Sequence, residues 1–419
     1  MKFTKYIAAS MIALAGLTSC GDSFFDTEYT QHLDESAAGE AAGKNPDVFL
    51  NGMWSWMVTY SQTNSGAHDD FGYMGSLHAT DMMGQDISMG AAHWFQYDYQ
   101  LDNRLEAYRR TKCHWTNFYT MIAKSNEIIS LYPEGGETVS QKGLLGQAFA
   151  IRGLSYMHLI QLYQFTVDAS GNINSDAPGI PLMYVSADGK TDEEIAAAKG
   201  RNTVKEVFAQ IESDLLKAVE NLEAGYTRPS KNYVDASVAN GFLARYYLLS
   251  QQWEKAAAAA NKARAGYTIM ESNASGLYDG FVTVNNVEWM WGFAHTTETQ
   301  TAYASFFSMI SNLAPGYAGI GYAPRLIDAK LYSQIPEDDG RKKMVQRTGR
   351  RCKPAYYRRT IALCQHQIRT FKRLDRKLHV HACSRNGSDR SRSLCSSESR
   401  RQSSRSIESV DEQTPAELE

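Results

Sequence analysis

Cysteine is nearly missing from most of this 419-residue chain. Cys20 and Cys113 alone precede residue 350, while Cys352, Cys364, Cys383 and Cys395 crowd the C-terminal tail. A disulfide framework is thereby excluded for the body, whose stability must come from core packing. Long hydrophobic runs are missing too: the apolar stretch Tyr6 to Leu17 is too short to span a bilayer as a permanent anchor. Phosphate-loop and dinucleotide fingerprints are absent, and so is a nucleophile elbow. Nucleotide-dependent chemistry and acyl-enzyme hydrolysis therefore lose their usual signals. Tryptophan is absent after Gln346.

What is present begins at the N-terminus. Lys2 and Lys5 precede the apolar run, and Leu17-Thr18-Ser19-Cys20 follows it, with Gly21 next. This resembles a lipobox, in which small residues fit the signal peptidase and the cysteine thiol forms the thioether. Residues 1–19 are thus expected to be a lipoprotein signal peptide and Cys20 the lipidated N-terminus, several acyl chains giving durable anchoring. Asp22, Asp26 and Glu28 read as a solvated tether.

A formal net charge of −3 conceals two compositions. From Arg347 onward 17 Lys and Arg stand against 8 Asp and Glu, which leaves 26 basic against 38 acidic side chains before it. The acidic body is long enough and apolar enough to bury a large core. The basic Arg/Ser/Cys-rich tail needs its own explanation.

Helical periodicity dominates the body. Trp115, Phe118, Ile122, Ile128, Ile129 and Leu131 fall at helical spacing within 104–131, read as a helix pair, and Pro133 with Gly135-Gly136 closes it. Leu144 to Gln164 reads as a helix whose small residues Ala148, Gly153 and Ser155 permit close approach. Ala177 to Val185 reads as an extended loop. Thr203 caps a helix from Val204 to about Leu222, with Glu206 completing a capping box. Ala236–Leu249 and Trp253–Ala265 form a helix hairpin of tetratricopeptide-like composition. Gly280 to Ala294 alternates loosely, through Phe281, Val282, Val284, Val287, Trp289, Trp291 and Phe293, and reads as strand or buried extended chain.

Five stretches then carry a family resemblance. Trp115, Tyr119, Ile122 and Asn126 are spaced as W-x-x-x-Y-x-x-I-x-x-x-N. Gly146 to Gly153, with Tyr156 and Leu162-Tyr163, is similar to a repeat helix written EA-x-FLRA-x-x-YF. Gly179-Ile180-Pro181-Leu182 is similar to a GGVPL turn. Thr203 to Leu215 resembles TVxEVYxxIxxDL, and Ala244 to Ala256 resembles LLARVYLxxxDWxKA. Occurring in family order over residues 20–346, they resemble the SusD/RagB family of outer-membrane glycan-binding lipoproteins. The resemblance implies a mostly α fold, SusD-like, with tetratricopeptide-like helix pairs, long irregular loops and the C-terminal part of the fold missing. It further implies a lipoprotein anchored in the outer membrane and facing the exterior. That protein would bind glycan and deliver it to a TonB-dependent, SusC-like transporter, without a cofactor, metal or nucleic acid. The alternative is a lipoprotein of the same fold that captures peptides or acts as an adaptor.

Residues 347–419 read as an out-of-frame, disordered Arg/Ser-rich tail. With suitable synonymous codons and the first base dropped, Lys377 to Gly387 becomes NYMYMRAAEM, which resembles the family's AE-rich segment; Asp389–Cys395 and Ser406–Pro415 shift into family-like stretches at the same offset. On that reading the C-terminal part of the fold is lost from this copy, loss of function in this copy stands as an alternative to binding, and His379, His381 and Cys383 form no site.

Catalysis finds little support. Asp69-Asp70, Asp81 and Asp86, near His68 and His78, read as solvated turn and cap carboxylates. Aromatic density points elsewhere. His93-Trp94-Phe95-Gln96-Tyr97 and Tyr99 follow the Met82-Met83-Gly84-Gln85-Asp86 loop. Rings stack on the apolar C–H faces of sugars while polar side chains meet the hydroxyls. By resemblance, Trp94, Tyr97 and Tyr99, with Asp86 and Gln96 as polar partners, are the expected glycan-binding residues. The Trp54/Trp56 and Trp289/Trp291 pairs are expected in the core.

Overall fold

Eleven α-helices and a four-stranded sheet form among the residues that the computed structural model describes. These are 47–347 apart from 64–65, 90, 92, 199, 272–283, 295–302, 311–315, 319–324, 341 and 343–344, together with short strands between 361 and 391. The expected signal segment, Cys20 and most of the tail lie outside them. The chain divides into units Met1–Val48 and Phe49–Glu419.

The helices are α1 Asp47–Val58, α2 Gly72–Met83, α3 Gln96–Gln100, α4 Arg109–Ser130, α5 Val139–Tyr163, α6 Asp192–Ala197, α7 Val204–Glu223, α8 Ala236–Leu249, α9 Trp253–Arg264, α10 Phe306–Ile310 and α11 Ala329–Gln334. Strands β1 Ile87–Met89, β2 Arg325–Ile327, β3 Val345–Arg347 and β4 Ile361–Leu363 pair antiparallel in the order β1-β2-β4-β3. Two further strand pairs join 367–369 to 379–381 and 383–385 to 389–391.

Helix α5 is buried on nearly every face, the pattern of a helix at the centre of a large core. Its neighbour α7 buries one stripe, Val204, Val207, Phe208, Ile211, Leu215, Ala218, Val219 and Leu222. Each large apolar side chain removed from water there contributes about 1.5–3 kcal/mol. Glycine lets the two helices meet closely: a Cβ on Gly146 would sit 2.6 Å from Leu222 Cγ, and one on Gly153 3.0 Å from Leu215 Cγ. Capping boxes begin both helices, at Thr138/Gln141 and at Thr203/Glu206, the second as the sequence predicts. Helices α8 and α9 form the expected hairpin against this layer.

Fully buried Arg152 of α5 pins the layer together. It donates to both Asp214 carboxylate oxygens (2.9 and 2.6 Å), to both Asp188 oxygens (3.1 and 2.6 Å) and to Asn126 Oδ1 (2.8 Å). Loop, α4, α5 and α7 thereby share one guanidinium.

Two expectations change. The 104–131 segment is a single helix from Arg109, because the Thr111 hydroxyl donates to the Asn103 and Leu105 carbonyls and holds 103–108 as a loop. Residues 284–294, the described part of the expected strand, are turns and coil. The Trp289 indole donates to the Trp291 carbonyl (2.8 Å), and Asn286 Oδ1 accepts from Glu288 N (2.9 Å), which closes the chain on itself and ends any pleat. Trp291 packs edge-on to Phe242 and, with Trp54, against the core.

Candidate ligand-binding site

A second, smaller apolar cluster lies under α2, built from Phe71, Ala79, Met82, Ile87, Phe95, Phe306, Met309 and Ile310. It supports the loop that the sequence singled out. Phe95 adopts φ +69°, a left-handed backbone that a bulky residue rarely takes. Its ring repays the strain: 3% exposed, it meets His78 edge-on at 4.6 Å and carries the Arg110 guanidinium over its face at 4.8 Å. With Phe95 turned in, Trp94, Gln96 and Tyr97 line a cavity of about 560 Å³.

The floor of that cavity is charged. Asp69 accepts from Arg109 Nη2 at 2.6 Å through each oxygen and from Arg110 Nη2 at 2.5 Å. Arg110 Nε continues to Asp98 (3.0 Å), which also accepts from Asn103 Nδ2 (2.7 Å). Burial raises the Asp98 carboxyl above the usual carboxylate range, with Arg110 and Asn103 opposing it. The expectation of solvated turn carboxylates is therefore corrected: Asp69 and Asp70 are both buried, the first by the two arginines, the second by accepting from Thr63 N and Oγ1. Both floor carboxylates are committed as acceptors, an arrangement that fixes guanidinium groups in place.

One wall is aromatic. Tyr317 lies 4.4 Å from His93 and accepts or donates a 2.6 Å hydrogen bond with His68 Nδ1. The His68 ring stacks on Tyr303 at 6.2 Å and tilts against Trp94 at 5.7 Å. Burial, then the Arg325 and His68 charges, lower the His93 pKa. Arg325 Nη2 donates to the Trp94 carbonyl (3.0 Å) and anchors the loop to β2. Tyr97, 58% exposed, and Tyr108 stand at the rim.

Of the sequence-predicted residues, Trp94, Gln96 and Tyr97 come together in the cavity. Tyr99 is exposed on α3 outside its lining, and Asp86 is half-buried beside β1, its carbonyl accepting from Asp328 N (2.9 Å). Sequence reasoning missed Asn103, Tyr108, Arg109, Arg110 and Tyr317. Adjacent arginines opening a helix oppose the helix dipole, and that misfit signals a nearby carboxylate; nothing local marks Tyr317. Among the described residues no cluster of His, Cys, Asp and Glu is placed to hold a metal ion, and no helix is long and apolar enough to cross a membrane.

Residues 53–248 match a family model described as SusD-like, starch-binding and associating with the outer membrane. Among solved structures, a SusD-like carbohydrate-binding protein from Bacteroides vulgatus is similar with 26% identity and a TM-score of 0.59, over 74% of this chain and 60% of that one. A SusD superfamily protein from Bacteroides vulgatus gives 16% identity and 0.57, over 76% and 67%. Another from Bacteroides thetaiotaomicron gives 16% and 0.54, over 72% and 64%. The latter two show the fold alone. The chain thus spans about three fifths to two thirds of the length of these structures. A search of curated proteins finds no match.

Proposed function

Because the chain belongs to the SusD-like family, we propose that it captures oligosaccharide or polysaccharide at the outer membrane, with the cavity between Trp94 and Arg109 as the binding site. The construction of that cavity carries the reading. Aromatic faces at Trp94, Tyr97 and Tyr317 surround a floor of fixed charged and amide groups, which is the pairing that a sugar's apolar faces and hydroxyls require. A peptide-capturing adaptor would want an aliphatic groove edged by free backbone donors, so the lining favours glycan.

In the fuller reading the protein is lipid-anchored through Cys20, faces the exterior and passes its ligand to a TonB-dependent, SusC-like transporter. It acts as a binding protein and not as an enzyme. The family's association with the outer membrane supports this placement. The test is a glycan array probed with the full-length chain and with a Trp94→Ala/Tyr97→Ala double variant. Selective retention of one glycan class by the parent, lost in the variant, is expected; retention of no glycan by the folded parent sinks the proposal.

A further inference from the structure

We propose that this cavity selects acidic sugars, seating a ring carboxylate at the start of α4 beside Arg109 and taking the neighbouring hydroxyl at Asn103 or Trp94. The inference rests on the glycan-binding reading above.

The first observation is the helix end. Helix α4 runs for 22 residues, and its N-cap Tyr108 supplies no side-chain cap. Tyr108, Arg109 and Arg110 all line the cavity, so the first turn of a long helix opens on it. Such an end carries a partial positive charge and unsatisfied N–H donors. No acidic residue lies in that turn, and two arginines do. Arg110 is buried between Asp69 and Asp98, but the Arg109 side chain is 40% exposed at the rim. Asp69 is shared by both guanidinium groups, and Asp98 is held by Arg110 and Asn103. These two carboxylates balance the two arginines, and the helix end is then left to favour an anion.

The second observation is independent. Asn103 is 6% exposed and lines the cavity; its Nδ2 is committed to Asp98, while its buried Oδ1 has no hydrogen-bond partner among the described residues. The indole Nε1 of Trp94, in the same lining, is likewise buried and without a partner among them. A buried acceptor and a buried donor left without partners are each unfavourable, and a ligand that supplies the missing partner gains by it. A sugar hydroxyl can answer either one, donating to the amide oxygen or accepting from the indole. A sugar acid carries a carboxylate and an adjacent hydroxyl on one ring; a neutral sugar offers only the second group.

The test is calorimetric titration of the full-length chain with oligogalacturonate and oligoglucuronate, each against its methyl ester, and with neutral oligoglucosides. The acid of one pair is expected to bind about tenfold more tightly than its ester, more weakly as salt is added, and Arg109→Gln is expected to bring that ratio close to one. An ester that binds as tightly as its acid overturns the inference while leaving glycan binding intact. Binding of neutral oligoglucosides alone does the same. Binding of nothing overturns the inference and the glycan reading together. The comparison of acid with ester uses the unaltered chain, so a variant that misfolds cannot decide it.

Discussion

Replacing Arg152 with Ala removes the cation on which two buried carboxylates depend. Asp214 and Asp188 have side chains 0% and 3% exposed, and four of the five hydrogen bonds from the guanidinium end on them. A buried ion pair adds little net stability over an apolar replacement, yet breaking one leaves a charge without compensation and costs about 3–5 kcal/mol. A protein of this kind has about 5–15 kcal/mol in total, so the variant should be folded but marginal. Urea unfolding followed by tryptophan fluorescence measures the loss at pH 7. The pH dependence adds a sign. Without Arg152 the two carboxylates have folded pKa values above their unfolded ones, so the folded state binds more protons and stability rises as pH falls. The deficit should therefore shrink between pH 7 and pH 5. A loss below about 1 kcal/mol at pH 7, or a deficit that grows on acidification, refutes the reasoning.

Three further outcomes are expected. Burial, then nearby cations, push His114 and His158 down to about 3, so both are neutral when folded and protonate on unfolding. Their contribution is complete above pH 6.5 and is lost as pH falls toward 3, by up to about 1.4 kcal/mol per pH unit for each group; a melting temperature that is flat between pH 6.5 and 5 contradicts this, and His114→Phe should flatten it by about half. Gly146→Ala drives a methyl to 2.6 Å from Leu222 Cγ and should cost about 1–3 kcal/mol in urea unfolding; a neutral result would mean that α5 and α7 separate freely. Re-reading the DNA from codon 340 onward should reveal a one-base offset near Arg347, and an unbroken frame disposes of that account of the tail.

Much of the fold was legible because helix signals are local. The stripe on α7 and its Thr203/Glu206 box, and the α8–α9 hairpin, each follow from residues within a few turns of one another. Over its described residues 284–294 the expected strand misled because its alternation of apolar and polar residues reflects the Trp291 and Phe293 rings turning into the core from a folded loop, with Trp291 reaching Asn232 O through its indole. Half of the candidate site was visible as an aromatic run, and Trp94, Gln96 and Tyr97 do share one cavity. Its other half was not. Tyr317 joins His93 across more than two hundred residues, and Asp69 reads as a turn carboxylate until Arg109 and Arg110 are brought against it by packing of α4 beside α2. Long-range pairing of that kind leaves no periodic trace.

The most direct test of the central claim is the affinity of the full-length chain for the oligosaccharide that an array selects, measured by titration calorimetry beside a Trp94→Ala variant of matched melting temperature. Removing a central aromatic contact from a binding site costs about 2 kcal/mol or more, so the account predicts a loss of affinity of about thirtyfold or more. Undiminished binding by the folded Trp94→Ala protein would place the glycan elsewhere and contradict it.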